Sequence, residues 1–165
     1  MAIIAFTTMT PAAQNYSVRI LDWNSARALA RPLRETVFVH EQGVPIEEEW
    51  DEWDAGSEHA IAATVDGEPI GTARLLPQTL PHIAELRIGR MAVLKAWRRR
   101  GVGAALLAAL IERAAERGAQ GIVLHAQTHA AGFYQRCGFV AEGGEFFEAG
   151  IAHFTMRLRL ANRPG

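Results

Sequence analysis

Apolar and polar residues alternate with period two over positions 16–23 (YSVRILDW), which predicts a strand; Asn24-Ser25 then offers a cap for a helix running to about His40. The next stretch, EQGVPIEEEWDEWD, breaks both periods. With Gly43, Pro45 and the six carboxylates Glu47, Glu48, Glu49, Asp51, Glu52 and Asp54, it reads as a solvated loop holding at most one short helical turn, too polar for the core. Two runs of β-type residues, 59–65 and 69–76, flank Asp66-Gly67, the strongest short hairpin signal. A further strand at 85–94 contains Gly89, which marks a bulge or a close backbone approach. Leu106, Leu107, Leu110, Ile111 and Ala114 recur at helical spacing over 104–117, and Gly118 supplies the stop. A short apolar strand (121–126), a helix (129–136) and a terminal strand pair, near Phe139 and over 153–160, complete the order. The pattern is mixed α/β, without internal repeats or low-complexity tracts.

Length and composition narrow the picture. The 165 residues make one domain, assigned to 16–162, and 49% hydrophobic against 21% charged residues is the composition of a globular chain with a substantial core. Lys and Arg total 17 against 18 Asp and Glu, so the overall charge gives no support to nucleic-acid or membrane-surface binding; any basic site is local. The lone Cys137 supplies neither an intrachain disulfide nor a zinc framework, and is expected to be a small packed hydrophobe in a reducing, cytoplasmic setting. The first fifteen residues carry no Lys or Arg and only a short apolar run, and are expected to form a flexible leader rather than a signal peptide or span.

The chemistry concentrates after the strand ending Met91-Ala92-Val93. There Arg98-Arg99-Arg100-Gly101-Val102-Gly103-Ala104 opens the long helix. Helix-start N–H groups lack intrahelical partners, the macrodipole adds about half a positive charge, and glycines let an anion approach the backbone. The spacing is neither that of a P-loop nor the three-glycine dinucleotide fingerprint. His125 and His129 stand four apart but lack the glutamate of H-E-x-x-H, so no metal is expected.

Arg98-x-x-Gly101-x-Gly103 after a strand, followed about thirty residues later by FYQRCGF (133–139), resembles the GNAT superfamily of N-acetyltransferases. The segments 34–45 (RETVFVHEQGVP), 71–77 (GTARLLP), 88–93 (IGRMAV) and 125–127 (HAQ) look like its ElaA-type branch of small bacterial acetyltransferases. The resemblance implies a single GNAT-like α/β domain: a mixed, twisted central sheet flanked by helices, splayed between the Met91 and Gly121 strands to admit acetyl-CoA. It implies direct transfer of the acetyl group to the amine of a small molecule or peptide. The cofactor contacts it implies are the turn Arg98, Arg99, Arg100, Gly101, Val102, Gly103 and Ala104 on the pyrophosphate, the edge Met91, Ala92 and Val93 on the pantetheine and thioester, and Gln127, Phe133 and Tyr134 beside them. Gln127 stands where many relatives carry asparagine.

An amine attacking a thioester must shed a proton, builds an oxyanion and expels a thiolate. The Val93 N–H is the candidate oxyanion donor and Tyr134, by resemblance, the acid. Glu85, His125 and Glu41 are all chemically able bases. Glu41, Arg90 and His125 are expected to share an acceptor pocket, and Trp50 and Trp53 either line its mouth or pack. Two rivals stay open. Arg34, Phe38, Asp54 and GTARLLP also resemble acyl-homoserine-lactone synthases, which use S-adenosylmethionine, and a CoA-binding module without catalysis would keep the same groove. The late strands offer an edge through which a homodimer could pair.

Overall fold

The computed structural model describes residues 15–77 and 84–160; the expected leader, 1–15, lies outside them but for its last residue. The strands are β1 (Tyr16–Leu21), β2 (Glu58–Thr64), β3 (Pro69–Leu75), β4 (Glu85–Val93), β5 (Gly121–Gln127), β6 (Val140–Glu148) and β7 (Ile151–Arg159). The helices are α1 (Trp23–Arg34), α2 (Ile46–Glu49), α3 (Val102–Glu116) and α4 (Ala131–Arg136). All seven strands form one sheet in the order β1-β2-β3-β4-β5-β7-β6, antiparallel throughout except at β4–β5. That parallel pair holds only from Glu85↔Gly121 to Arg87↔Val123, and beyond it the strands part. A single mixed α/β domain thus opens in the middle of its own sheet, between the two strands expected to splay.

Apolar spacing decides which helix face is buried. Val102, Leu106, Leu107, Leu110 and Ala114 of α3 pack on Ile70, Leu75, Leu86, Ile88 and Ile122, while Ala26 and Ala30 of α1 pack with Ile61. Gly71 permits the close approach of α3: a Cβ there would lie 3.0 Å from Leu106 Cδ1, 3.1 Å from Val102 Cγ1 and 3.3 Å from the Ala92 carbonyl oxygen. Gly71→Ala is therefore expected to destabilise the fold by about 1–3 kcal/mol through overpacking, read as a lower denaturation midpoint at unchanged m-value.

Several boundaries differ from expectation for local reasons. Helix α1 is capped by Asp22, whose carboxylate accepts from the Ser25 N–H at 2.9 Å, rather than by Asn24-Ser25. After Arg34 the chain widens into π-type turns over Glu35–Glu41, with the Gln42 N–H donating five residues back to the Val37 carbonyl at 3.1 Å. Helix α3 starts at Val102, directly after Gly101 reaches φ +83°. The extra residue of the β3–β4 ladder falls between the pairs Thr72↔Ala92 and Arg74↔Gly89, and the left-handed residue is Arg90 at φ +53°, not Gly89.

The larger correction concerns the acidic segment, expected to be a solvated loop. Glu49 and Asp54 are 2% and 4% exposed, and they surround two equally buried arginines. Arg34 donates to Glu49 Oε1 at 2.6 Å, to Asp54 Oδ1 at 2.7 Å and to the Glu49 carbonyl at 2.9 Å. Arg74 reaches Asp51 at 2.6 Å and Asp54 at 2.9 Å. Buried guanidinium groups need acceptors, so the arginines within α1 and β3 pull the carboxylates inward. Burial pushes the Glu49 carboxyl up, against the pull of Arg34 and Arg90. Burial acts in the same sense on Asp51, but there the hydrogen bond and charge of Arg74 prevail and hold it down. Trp50 lies under Arg31 and Arg34, 4.6 and 5.1 Å from its ring, and so packs; Trp53 lines the cleft described next.

Candidate active site

The splay opens into a cleft of about 1050 Å³ running from the start of α3 to the β6–β7 hairpin. At one end, the first turn of α3 has no side-chain cap, and Gly101, Gly103 and Ala104 line the cavity. This is where the glycine spacing predicts an anion site, and the helix-start amides there have no side-chain partner. The loop leading into it is braced from β1, where the Tyr16 hydroxyl donates to the Arg100 carbonyl at 3.4 Å. The three arginines have separate partners. Arg98 donates through Nε to the Val93 carbonyl at 2.9 Å and through Nη2 to Glu41 at 2.7 Å. Arg99 lines the cleft, at φ +61°, whereas Arg100 lies over the Trp97 ring at 5.0 Å and outside the cleft wall.

Along one wall runs the free edge of β4. The Leu94 N–H donates to the Ile70 carbonyl at 2.9 Å, so in an antiparallel ladder the Val93 N–H one residue earlier points the other way, into the cleft. Arg98 taking the Val93 carbonyl from that same side agrees. Opposite stands Tyr134, whose hydroxyl donates to Met91 Sδ at 3.6 Å and whose ring sits edge-on to Phe133 and Phe139 at 5.0 and 6.0 Å. Burial pushes its phenol up to about 12, which keeps it protonated at neutral pH. Burial also pushes up the thiol of half-buried Cys137, which suits a packed side chain rather than a nucleophile.

Other candidates are placed differently from expectation. The Gln127 amide faces Gln42 in a reciprocal pair, 3.1 and 2.8 Å, which ties the end of β5 to the π-type segment across the cleft and occupies groups expected to meet a cofactor. Glu85 is not brought to the cleft at all: its carboxylate pairs with Arg157 at 2.8 Å, where β4 and β5 are still joined. Of the residues expected to share an acceptor pocket, Arg90 and His125 line the same cleft and Glu41 does not. Glu41 is held by Arg98, and Arg90 leans on Glu49 and Asp51 at 3.3 and 3.2 Å.

His125 remains. Its Nδ1 is 2.6 Å from Glu148 Oε1, its ring meets Phe146 edge-on at 4.9 Å, and the Arg87 guanidinium lies against it. A carboxylate and a guanidinium thus both meet Nδ1, and the guanidinium nitrogen is 3.3 Å from Nε2 as well. Glu148, Gln42 and Arg87 were not singled out in the sequence. Arg87 had a signal, standing two residues before Gly89 on a strand already assigned to the site. Glu148 had none, because only the β6–β7 pairing swings it onto His125.

Comparison with known proteins matches this geometry. The acetyltransferase (GNAT) domain pattern fits residues 24–160. YjcF of Bacillus subtilis, an uncharacterised N-acetyltransferase, is 43% identical over 126 residues, covering 75% of this chain and 86% of its own. A candidate N-acetyltransferase of Lactobacillus plantarum superposes with a TM-score of 0.80 at 32% identity, covering 88% of this chain and 99% of its own. Escherichia coli ElaA superposes at 0.76 with 28% identity, over 86% of this chain and 98% of its own. A sheet split beside an uncapped, glycine-opened helix, and a sequence match spanning nearly the whole described chain, lead to one assignment: this chain belongs to the GNAT acetyltransferase family, alongside ElaA.

Proposed function

We propose that the protein transfers the acetyl group of acetyl-CoA directly to an acceptor amine. The observation that carries this is the pairing of two features in one cleft: uncapped amides at the start of α3 and an unpaired β4 edge directed at Tyr134. The amides of Val102, Gly103 and Ala104, with Arg99 beside them, bind the diphosphate, and the edge at Met91 and Val93 pairs with the amides of the pantetheine arm.

His125, oriented by Glu148, takes the proton that the amine must lose before it attacks. The Val93 N–H meets the negative charge that builds on the thioester oxygen, a fixed donor that requires no reorganisation as the bond forms. Tyr134 protonates the departing thiolate. The bond made is nitrogen to acetyl carbon and the bond broken is carbon to sulfur; the products are an amide and CoA thiol, with no redox partner. Of the residues that carry the likeness to lactone synthases, Arg34, Asp54 and Arg74 are buried in one ion-pair cluster and are accounted for without that reaction.

The test is thiol release from acetyl-CoA over a broad amine panel, alongside a Gly103→Val variant. Gly103 faces Phe133 Cζ at 3.5 Å from its would-be Cβ, so a branched side chain crowds the diphosphate path. The variant is expected to raise KM for acetyl-CoA about tenfold with the amine KM little changed. Release unaffected by Gly103→Val would remove the diphosphate site; tight acetyl-CoA binding without release to any amine would leave a binding module in place of an enzyme.

A further inference from the structure

The cleft holds several guanidinium groups, and some are already committed. Arg74 and Arg90 are taken up by Glu49, Asp51 and Asp54, and Arg98 by Glu41. Arg99, in the turn before α3, and Arg136, in the last turn of α4, also line the cleft without a carboxylate partner among the described residues, but neither contacts His125. Arg87 is different. It is exposed, lines the cleft at the point where β4 and β5 part, and among the described residues has no carboxylate partner.

Its one side-chain contact is with His125, Nη2 lying 2.6 Å from Nδ1 and 3.3 Å from Nε2. A donor on the in-plane axis of Nδ1 would stand well over 4 Å from Nε2, so the guanidinium lies over the face of the ring, while Glu148 Oε1 meets the same nitrogen at 2.6 Å. A guanidinium is planar, with donors along more than one edge, and binds a carboxylate in bidentate fashion. With one nitrogen over the imidazole, Arg87 still lines the cavity, and its other donors have no hydrogen-bond partner among the described residues.

We infer that Arg87 binds a carboxylate of the acceptor, so that the preferred acceptor is an amino acid, its reacting amine one or two carbons from the acid group. The inference rests on the transfer reaction proposed above and adds the substrate class. Spacing supports it. A carboxylate on the far edge of the guanidinium lies roughly 6–7 Å from the His125 ring, from the group's own width plus one hydrogen bond. An amine some 3 Å from that carboxylate then reaches His125 through one further hydrogen bond. A long diamine or a lysine side chain far from any acid group does not bridge the two. Charge supports it as well. The bound carboxylate offsets the Arg87 cation just where His125 gains a proton, and Glu148, 2.6 Å from Nδ1, offsets the imidazolium as well. Arg87 thus acts as a specificity residue for the acceptor and leaves the chemistry to His125, Val93 and Tyr134.

The experiment compares amino acids with their decarboxylated amines and their amides, for example phenylalanine, phenethylamine and phenylalaninamide, and the same sets built on alanine and tryptophan. Wild-type kcat/KM is expected to favour the carboxylate member of at least one set by about tenfold or more. Arg87→Met is expected to erase that preference through a higher acceptor KM at unchanged acetyl-CoA KM, and Arg87→Lys to restore part of it. Equal turnover of all three members of every set, or a preference that survives Arg87→Met, overturns the inference and leaves the transfer reaction standing.

A second arm needs no turnover: titration of N-acetylalanine and N-ethylacetamide, followed by NMR of the His125 imidazole. Binding of the acid alone, lost in Arg87→Met, supports the carboxylate site even if no amine is acetylated, in which case the transfer reaction is what fails. Indifference of the imidazole to both compounds, together with an absence of turnover, sinks both.

Discussion

Tyr134→Phe is expected to lower kcat for amine acetylation by about 10²- to 10⁴-fold, the usual contribution of a positioned general acid, with the acetyl-CoA KM little altered. The variant removes one oxygen and keeps the ring, so the edge-on contacts with Phe133 and Phe139 survive and the fold should too. Only the hydrogen bond to Met91 Sδ is lost, and sulfur is a weak acceptor. The direction of the phenol's shift matters. Burial raises it to about 12, so the acid form is fully populated throughout the neutral range and only depletes as the pH rises through that value. Wild-type activity should therefore show no alkaline decline attributable to Tyr134 below about pH 11. Initial rates of thiol release for both proteins over a pH series measure this; a variant within about threefold of wild type at every pH would exclude the acid role.

Asp54→Ala is expected to be the most damaging substitution for stability, at about 3–5 kcal/mol, because it leaves two buried guanidinium groups short of a partner. Asp54 Oδ1 accepts from Arg34 at 2.7 Å and from Arg74 at 2.9 Å, and both arginines are at most 4% exposed. For a domain of this size the melting temperature should drop on the order of 10 °C, measurable by calorimetry. Such a loss shows the cost of breaking the cluster, not its net worth. Replacing Arg34, Glu49, Asp54 and Arg74 together by apolar residues of similar volume is expected to recover much of the stability. It should not recover activity, since Arg74, Glu49, Asp51 and Arg90 line the cleft. If Asp54→Ala melts within a degree or two of wild type, the cluster is no brace.

Those two residues also mark what the sequence makes legible. Tyr134 stood out because its neighbours are local: the FYQRCGF string, the glycine-opened turn and the 3.6-residue apolar spacing of α3 each lie within a few residues of one another. The hairpin around Asp66-Gly67 and the parting of β4 from β5 were legible for the same reason, as turn chemistry and family-like motifs in consecutive segments. The buried cluster was not. Six carboxylates in eight positions look solvated until Arg34 and Arg74, each in an element of its own, are brought against them by folding. A signal did exist in Arg74, since a charge inside the apolar run of β3 has to find a partner somewhere. The choice among Glu41, Glu85 and His125 was beyond reach for a related reason. Each is held by a side chain far along the chain, Arg98, Arg157 and Glu148, and no local pattern reports such pairings.

The separation of β4 from β5 after three register positions carries a cost of its own. Main-chain groups along those two facing edges are left to water when no coenzyme lies between them, although a few more ladder bonds would satisfy them within the chain. Variants selected purely for heat resistance should therefore drift toward zipping the sheet shut, gaining melting temperature as they lose turnover. On the proposed binding of acetyl-CoA, the guest would act as the missing strand across the unclosed seam and toughen the whole domain.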